Sequence, residues 1–188
     1  LFEMESPDTP WAKRQDDRIR KKLEGQPSRG VIFFLGFLRS KGINSGRLVD
    51  IGCGTGRNAV YFAQAGFEVH ALDRSDEVLK DIDLHGVMPH CHSATDHWLF
   101  DDAFFDLAMD IFCYSEQAEA PRRAVYRGEL GRVLRSGGYY RLSVPSVPGA
   151  KEALAKEFEG FEVVASTASE DKIAGKPVKA LNLVMKKK

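Results

Sequence analysis

The chain has 188 residues, 43% hydrophobic and 29% charged with a mean hydropathy of -0.30, the composition of an ordinary globular protein of about one domain. Its 27 basic residues balance 27 acidic ones, so no global charge draws it to nucleic acid or an anionic membrane. The apolar run from Val31 to Leu38 is far short of the roughly 20 residues of a membrane span. Three scattered cysteines, Cys53, Cys91 and Cys113, exclude a disulfide scaffold and make the cytosol the expected location.

Residues 1–10 carry Pro7 and Pro10 and read as a draped arm, and 11–23 as an exposed helix that Trp11 anchors. Ser28 ahead of the apolar run at 31–38 predicts a helix ending near Gly42, buried on more than one side. A short apolar strand at 47–51 then meets Gly52, Gly54 and Gly56, followed by a helix at 58–65 and a second strand at 67–73 that ends on Asp73. Ser75 opens a short helix to about Ile82. Strands follow at 90–92 and 104–110, a helix at 119–134, a fifth strand at 139–144, a helix at 151–158, and a closing hairpin of strands at 161–167 and 180–185. Poor alternation in the middle strands fits a sheet covered on both faces. Lys186, Lys187 and Lys188 read as a frayed, solvated end.

Charge is segregated along this order. Residues 68–119 hold 13 acidic side chains against Arg74 and Lys80, whereas 122–141 hold six arginines against Glu129. The acidic block is read either as a solvated face or as the wall of a cleft for a cationic or hydroxyl-bearing ligand, and the arginines as solvent-facing.

Strand, glycine turn and helix place backbone N–H groups and a helix start beside a crevice, and Asp73 stands where a carboxylate can accept from a ribose diol. The spacing is G-x-G-x-G, not the G-x-G-x-x-G of dinucleotide folds, which leaves an NAD-dependent oxidoreductase as a minor alternative. No phosphate loop or His-Glu-x-x-His element is present. His90, Cys91 and His92 cluster, but successive strand residues face opposite ways, and no metal site is expected.

The segment Val49-Asp50-Ile51-Gly52-Cys53-Gly54-Thr55-Gly56, with Asp73 after the next strand, resembles the first motifs of the class I S-adenosylmethionine-dependent methyltransferases. The resemblance extends through 104–110 and 129–138, covers about 48–144, and lies toward the small-molecule type 11 and tellurite-resistance-like group. It implies an α/β, Rossmann-like doubly wound sheet of seven strands, mostly parallel, with a reversed final strand and flanking helices. It also implies one methyltransferase domain over 1–188, with 1–45 as a helical cap and 46–188 as the cofactor-binding core. S-adenosylmethionine is the implied cofactor: Gly52, Cys53, Gly54 and Gly56 cradle it, Asp73 holds the ribose, and Arg74 flanks the adenine. Asp50 organises the glycine loop or reaches the cofactor's amino group through water. At the adenine side the family's acidic position falls on Ala94 without a gap, and a two-residue shift brings in Asp96, with Thr95 beside it. Asp96 is the favoured assignment, and Trp98 either covers the adenine or belongs to the core.

Asp110 and Tyr114, after the fourth strand, are candidates for orienting the acceptor and, for Asp110, the cofactor; His97 and Tyr140 are weaker ones. Methyl transfer from a sulfonium is an in-line displacement, so alignment matters more than a base. The short link after the fifth strand favours a small-molecule acceptor and disfavours nucleic acid. The alternative function is a non-catalytic interaction protein that keeps the methyltransferase fold.

Overall fold

The computed structural model describes residues 26–80, 82–173 and 176–188; the expectations for the arm at 1–10 and the helix at 11–23 lie outside them. In chain order the elements are α1 (Arg29–Ser40), β1 (Arg47–Ile51), α2 (Arg57–Gln64), β2 (Glu68–Asp73), α3 (Asp76–Leu79), a 3-10 turn (Ile82–His85), β3 (Val87–Cys91), β4 (Phe105–Ile111), α4 (Cys113–Glu116), α5 (Ala120–Val133), β5 (Leu134–Pro145), α6 (Ala150–Glu157), β6 (Phe161–Ile173) and β7 (Lys176–Lys187). The seven strands form one sheet in the order β3-β2-β1-β4-β5-β7-β6. Pairings from β3 to β5 are parallel, and β7 runs antiparallel to both β5 and β6. The doubly wound, mostly parallel sheet with a reversed last strand is therefore the fold. No helix among the described residues is long and apolar enough to cross a membrane.

Alternate residues of each central strand feed two cores. Val49, Ile51, Ala108, Tyr140 and Leu142 pack on one face with Tyr126, Leu130 and Val133 of α5. Leu48, Val69, Leu107, Met109 and Val184 pack on the other with α1 and α2. Burial on both faces is why the strands read as apolar runs. Helix α1 buries Val31, Phe34, Leu35 and Leu38, an i, i+3, i+4, i+7 stripe, each contributing about 1.5–3 kcal/mol. It is one-sided rather than buried all round, since Ile32 and Phe33 are 43% and 37% exposed.

The largest departures from sequence expectation lie at the end of the chain. β6 and β7 continue well past the expected strands, paired as far as Ile173 and Lys176. The terminal lysines are not frayed: Lys187 Nζ donates to the carbonyls of Gly131 (2.5 Å) and Leu134 (2.6 Å), and Lys188 Nζ to Glu159 O (2.9 Å). A cation placed on the last carbonyls of α5 is favoured by the helix dipole.

One buried charge sits inside β5. Arg141 is fully buried, its Nη2 donates to Asn182 Oδ1 (2.6 Å), and its Nε and Nη1 have no hydrogen-bond partner. Gly30 of α1 makes room for it, because a Cβ there would lie 1.8 Å from Nη2. Burial pushes the guanidinium below its ordinary pKa. An incompletely paired buried cation costs stability that an apolar isostere does not. Arg141→Met is therefore expected to match or exceed the wild type in chemical denaturation, by up to about 2 kcal/mol. A loss of more than about 2 kcal/mol would show that the fold needs the charge.

Candidate cofactor cleft

The glycine turn is built from both of its ends. After β1, the N–H groups of Gly52 (2.7 Å) and Cys53 (3.1 Å) donate to Leu72 O, fixing the turn on the end of β2. Gly52 has φ +67°, and a Cβ there would sit 2.5 Å from Cys113 Cβ; Gly56 has φ +83°, and its Cβ would sit 2.0 Å from Ile82 Cδ1. Both positions need glycine for conformation and for space. Gly54 differs: at φ +54° a Cβ would meet nothing within 4 Å. Its N–H donates to Asp73 Oδ2 (2.9 Å), and Ser75 N–H donates to Oδ1 (3.0 Å), so Asp73 ties the first strand-to-helix turn to the second.

These turns border a cleft of about 350 Å³ at the carboxyl ends of the strands, the edge where open α/β sheets bind ligands. Of the residues singled out from sequence, Gly52, Asp73, Arg74 and Thr95 line it. Gly54 and Gly56 complete the turn outside the lining, and Cys53 points its thiol at Gly54 O (3.4 Å). Sequence reading missed His92, Ser93, Glu116 and Arg122 as wall residues. His92 and Ser93 lie just beyond the end of β3, Glu116 ends the short α4 after β4, and Arg122 stands in the first turn of α5.

Several residues singled out from sequence stand away from the cleft lining. Ala94 lines the cleft, and Asp96 stands exposed outside it. The reason is local: Asp96 N–H closes a turn on Ser93 O (3.3 Å), which carries its side chain away. Trp98 is fully buried in the core and donates from Nε1 to Ala94 O (3.1 Å). His97 faces Glu129 (3.2 Å) and Tyr140 hydrogen-bonds Tyr126 (2.9 Å), both away from the cleft. Tyr114 is 2% exposed, and its hydroxyl donates to Glu157 and accepts from Arg127 Nη1 (2.7 Å). It is not among the residues that line the cleft.

Asp110 is likewise fully buried, and it acts through the backbone. Its carboxylate accepts from Cys113 N (2.9 Å), Tyr114 N (2.9 Å) and Tyr126 Oη (2.6 Å), capping the short α4 whose residues form one wall. Phe112, at φ +69°, supplies the tight bend that aims these N–H groups back at Asp110. A non-glycine residue there is strained, which the three hydrogen bonds and the buried Phe112 ring offset. Burial raises the Asp110 carboxyl to about 7.

Asp50 stands behind the glycine turn with neither carboxylate oxygen hydrogen-bonded. Register places Asp50 and Arg141 on either side of Met109, their backbones two strand spacings or about 10 Å apart, and Asp50 makes no hydrogen bond to the guanidinium. Burial, then the charge of Asp110, pushes the Asp50 carboxyl up to about 8, against the opposing pull of Arg141. Burial also pushes the Cys53 and Cys113 thiols up, which disfavours thiolate chemistry.

The segregated charges meet in space. Arg132 of α5 donates to Phe100 O (2.6 Å), Trp98 O (2.8 Å), Asp102 (3.0 Å) and Glu129 (2.7 Å), and Arg135 to Asp106 (2.6 Å). The arginine helix thus holds the acidic loop between β3 and β4, rather than simply facing solvent. His90, Cys91 and His92 engage three separate partners, His70 (2.9 Å), Arg74 O (3.6 Å) and His97 O (2.7 Å).

Comparison with known proteins agrees with this geometry. The fold matches a SAM-dependent methyltransferase from Methanosarcina mazei at 17% identity and TM-score 0.67, over 77% of this chain and 93% of that one. It also matches a TehB-like SAM-dependent methyltransferase from Corynebacterium glutamicum (18% identity, TM-score 0.68, 96% and 100% covered). A third match is the Burkholderia thailandensis 1,6-didemethyltoxoflavin-N1-methyltransferase (19%, 0.68, 98% and 92%). No curated protein matches the sequence significantly. A family model described as a methyltransferase domain matches residues 49–142, from β1 into β5 and across every turn that borders the cleft. The chain belongs to that methyltransferase-domain family.

Proposed function

We propose that the protein transfers a methyl group from S-adenosylmethionine to a small-molecule acceptor. The observation that carries this reading is the junction of Gly54 N–H with the Asp73 carboxylate at the cleft, which sets a glycine cradle beside a diol-binding acid. Three features fit the cofactor. The open space at Gly54 admits a ligand close to the backbone, Asp73 retains lone pairs for the ribose hydroxyls, and the unpartnered Asp50 carboxylate lies behind the turn, where it favours a cationic group. Gly52, Cys53 and Gly56 shape the cradle, Arg74 and Thr95 flank the base, and 46–188 would be the binding core with 1–45 as its cap. Bound there, the cofactor supplies an electrophilic methyl on a sulfonium.

The chain's own contribution is alignment and exclusion of water. Asp110 acts as a positioning residue, holding α4 and Cys113 against the turn, and no side chain need serve as a general base. The link between β5 and α6 spans only residues 146–149, leaving no insert to build an extended acceptor surface. The Burkholderia relative, solved with 1,6-didemethyltoxoflavin and S-adenosylhomocysteine bound, supports a small acceptor. A non-catalytic role is favoured by the missing carboxylate at Ala94 and by the short helix after β2, Asp76–Leu79.

Calorimetric titration tests the reading. S-adenosylhomocysteine is expected to bind and NAD not to, and Asp73→Ala should weaken binding about 10- to 100-fold through loss of charge-assisted hydrogen bonds. Binding of neither S-adenosylmethionine nor S-adenosylhomocysteine sinks the proposal. Binding without turnover over a broad acceptor panel supports the non-catalytic alternative.

A further inference from the structure

The base end of the cleft lacks a carboxylate at Ala94, yet an aminopurine needs an acceptor for its exocyclic N–H. The segment between β3 and Trp98 supplies few. The Ala94 carbonyl is taken by Trp98 Nε1 (3.1 Å). The Ser93 and Thr95 hydroxyls bond each other (3.0 Å), and Ser93 Oγ also accepts from Thr95 N (3.2 Å).

His92 is different. Its N–H donates to Asp73 O (2.9 Å), which fixes it beside the proposed ribose anchor, and the residue lines the cleft. Its Nε2 lies 2.7 Å from His97 O. A carbonyl oxygen only accepts, so Nε2 carries the proton, and in the neutral ring Nδ1 holds the lone pair. Nδ1 has no hydrogen-bond partner among the described residues. The opposite wall offers Glu116 and Glu119, the latter 3.5 Å from Arg122.

Resting on the cofactor reading above, we propose that His92 is the base-specificity residue of the cleft: its Nδ1 accepts the exocyclic N–H of a 6-aminopurine. A 6-oxopurine presents a carbonyl to the same lone pair and is repelled. The Nε2–H bond to His97 O sets the tautomer and holds the ring.

The test is calorimetric comparison of S-adenosylhomocysteine with S-inosylhomocysteine, its 6-oxo counterpart. The wild type is expected to prefer the adenosyl ligand by about tenfold or more. His92→Phe should bring the ratio to about one, chiefly by weakening the adenosyl ligand, and His92→Gln, which keeps an acceptor, should restore part of it. A structural role alone would weaken both ligands equally and leave the ratio intact, which overturns the proposal. Equal binding of both ligands by the wild type also overturns it, as does a ratio lost in Glu116→Gln but kept in His92→Phe. If neither ligand binds the wild type, the cofactor reading itself fails and this inference falls with it.

Discussion

Gly54→Ala is expected to abolish detectable S-adenosylhomocysteine binding, a loss of 100-fold or more by order of magnitude, while the protein stays folded. The two effects separate because of where the glycine sits. A Cβ at Gly54 would touch no protein atom within 4 Å, so the folding cost is only that of an alanine at φ +54°, about 1–2 kcal/mol. On the proposed cofactor reading the same methyl would stand in the open space at the turn bordering the cleft, where the ligand approaches the backbone. Gly52→Ala and Gly56→Ala are the controls. Their Cβ atoms would collide with Cys113 and Ile82 at 2.5 and 2.0 Å, so they should lose stability along with binding. Thermal denaturation and titration of all three variants check this. A Gly54→Ala protein that binds normally would mean the cradle is not where the ligand lies.

Asp50→Asn is expected to stabilise the ligand-free protein and to weaken it as a binder. The Asp50 carboxyl is pushed up from 3.8 to about 8, chiefly by burial. A raised acid contributes stability that is whole below its unfolded value and is lost as pH rises through the folded one. Here that window runs from about 4 to about 8. The penalty for the wild type at pH 9 is of order 5 kcal/mol at most, shared with neighbouring Asp110, whose folded value of about 7 acts in the same direction. Asparagine removes the ionisation, so its advantage in chemical denaturation should grow from pH 5 to pH 8 and then level off. A variant equally destabilised at every pH would refute this account. A cationic ligand does the reverse, favouring ionised Asp50. S-adenosylmethionine binding near pH 7 should therefore release protons, seen as a binding enthalpy that depends on the buffer's ionisation enthalpy. In Asp50→Asn that dependence should shrink and affinity fall about tenfold.

Much of this was readable residue by residue. The glycine spacing after 47–51, with Asp73 closing the next strand, located the turn and half of the cleft because glycine and a strand-end acid report local backbone geometry. The apolar runs gave the two-faced sheet for the same local reason. Two placements turned on contacts that composition and spacing do not report, one local and one distant. Asp96 and Ala94 differ by two residues, and the choice depends on the turn that Asp96 N–H closes on Ser93 O. Tyr114 lay one turn past a strand end, as a site residue should, but its side-chain direction was set by Glu157 and Arg127 of distant helices.

The net charge of zero is the clearest division between the two levels. The sequence determined that acids and arginines fall in separate blocks, because that is a matter of order along the chain. Only the tertiary structure decided that Arg132 reaches across about 30 positions to hold the loop between β3 and β4, and that Arg135 of β5 pairs with Asp106 of β4. It likewise decided that Asp50 and Arg141 stay buried about two strand spacings apart. Strand, turn and helix follow from neighbours a few residues away, whereas partners for charges and tautomers for histidines follow from packing. The loop after β3 is thus shaped by contacts a few residues apart, whereas the anchoring of that loop by Arg132 depends on contacts about 30 residues apart.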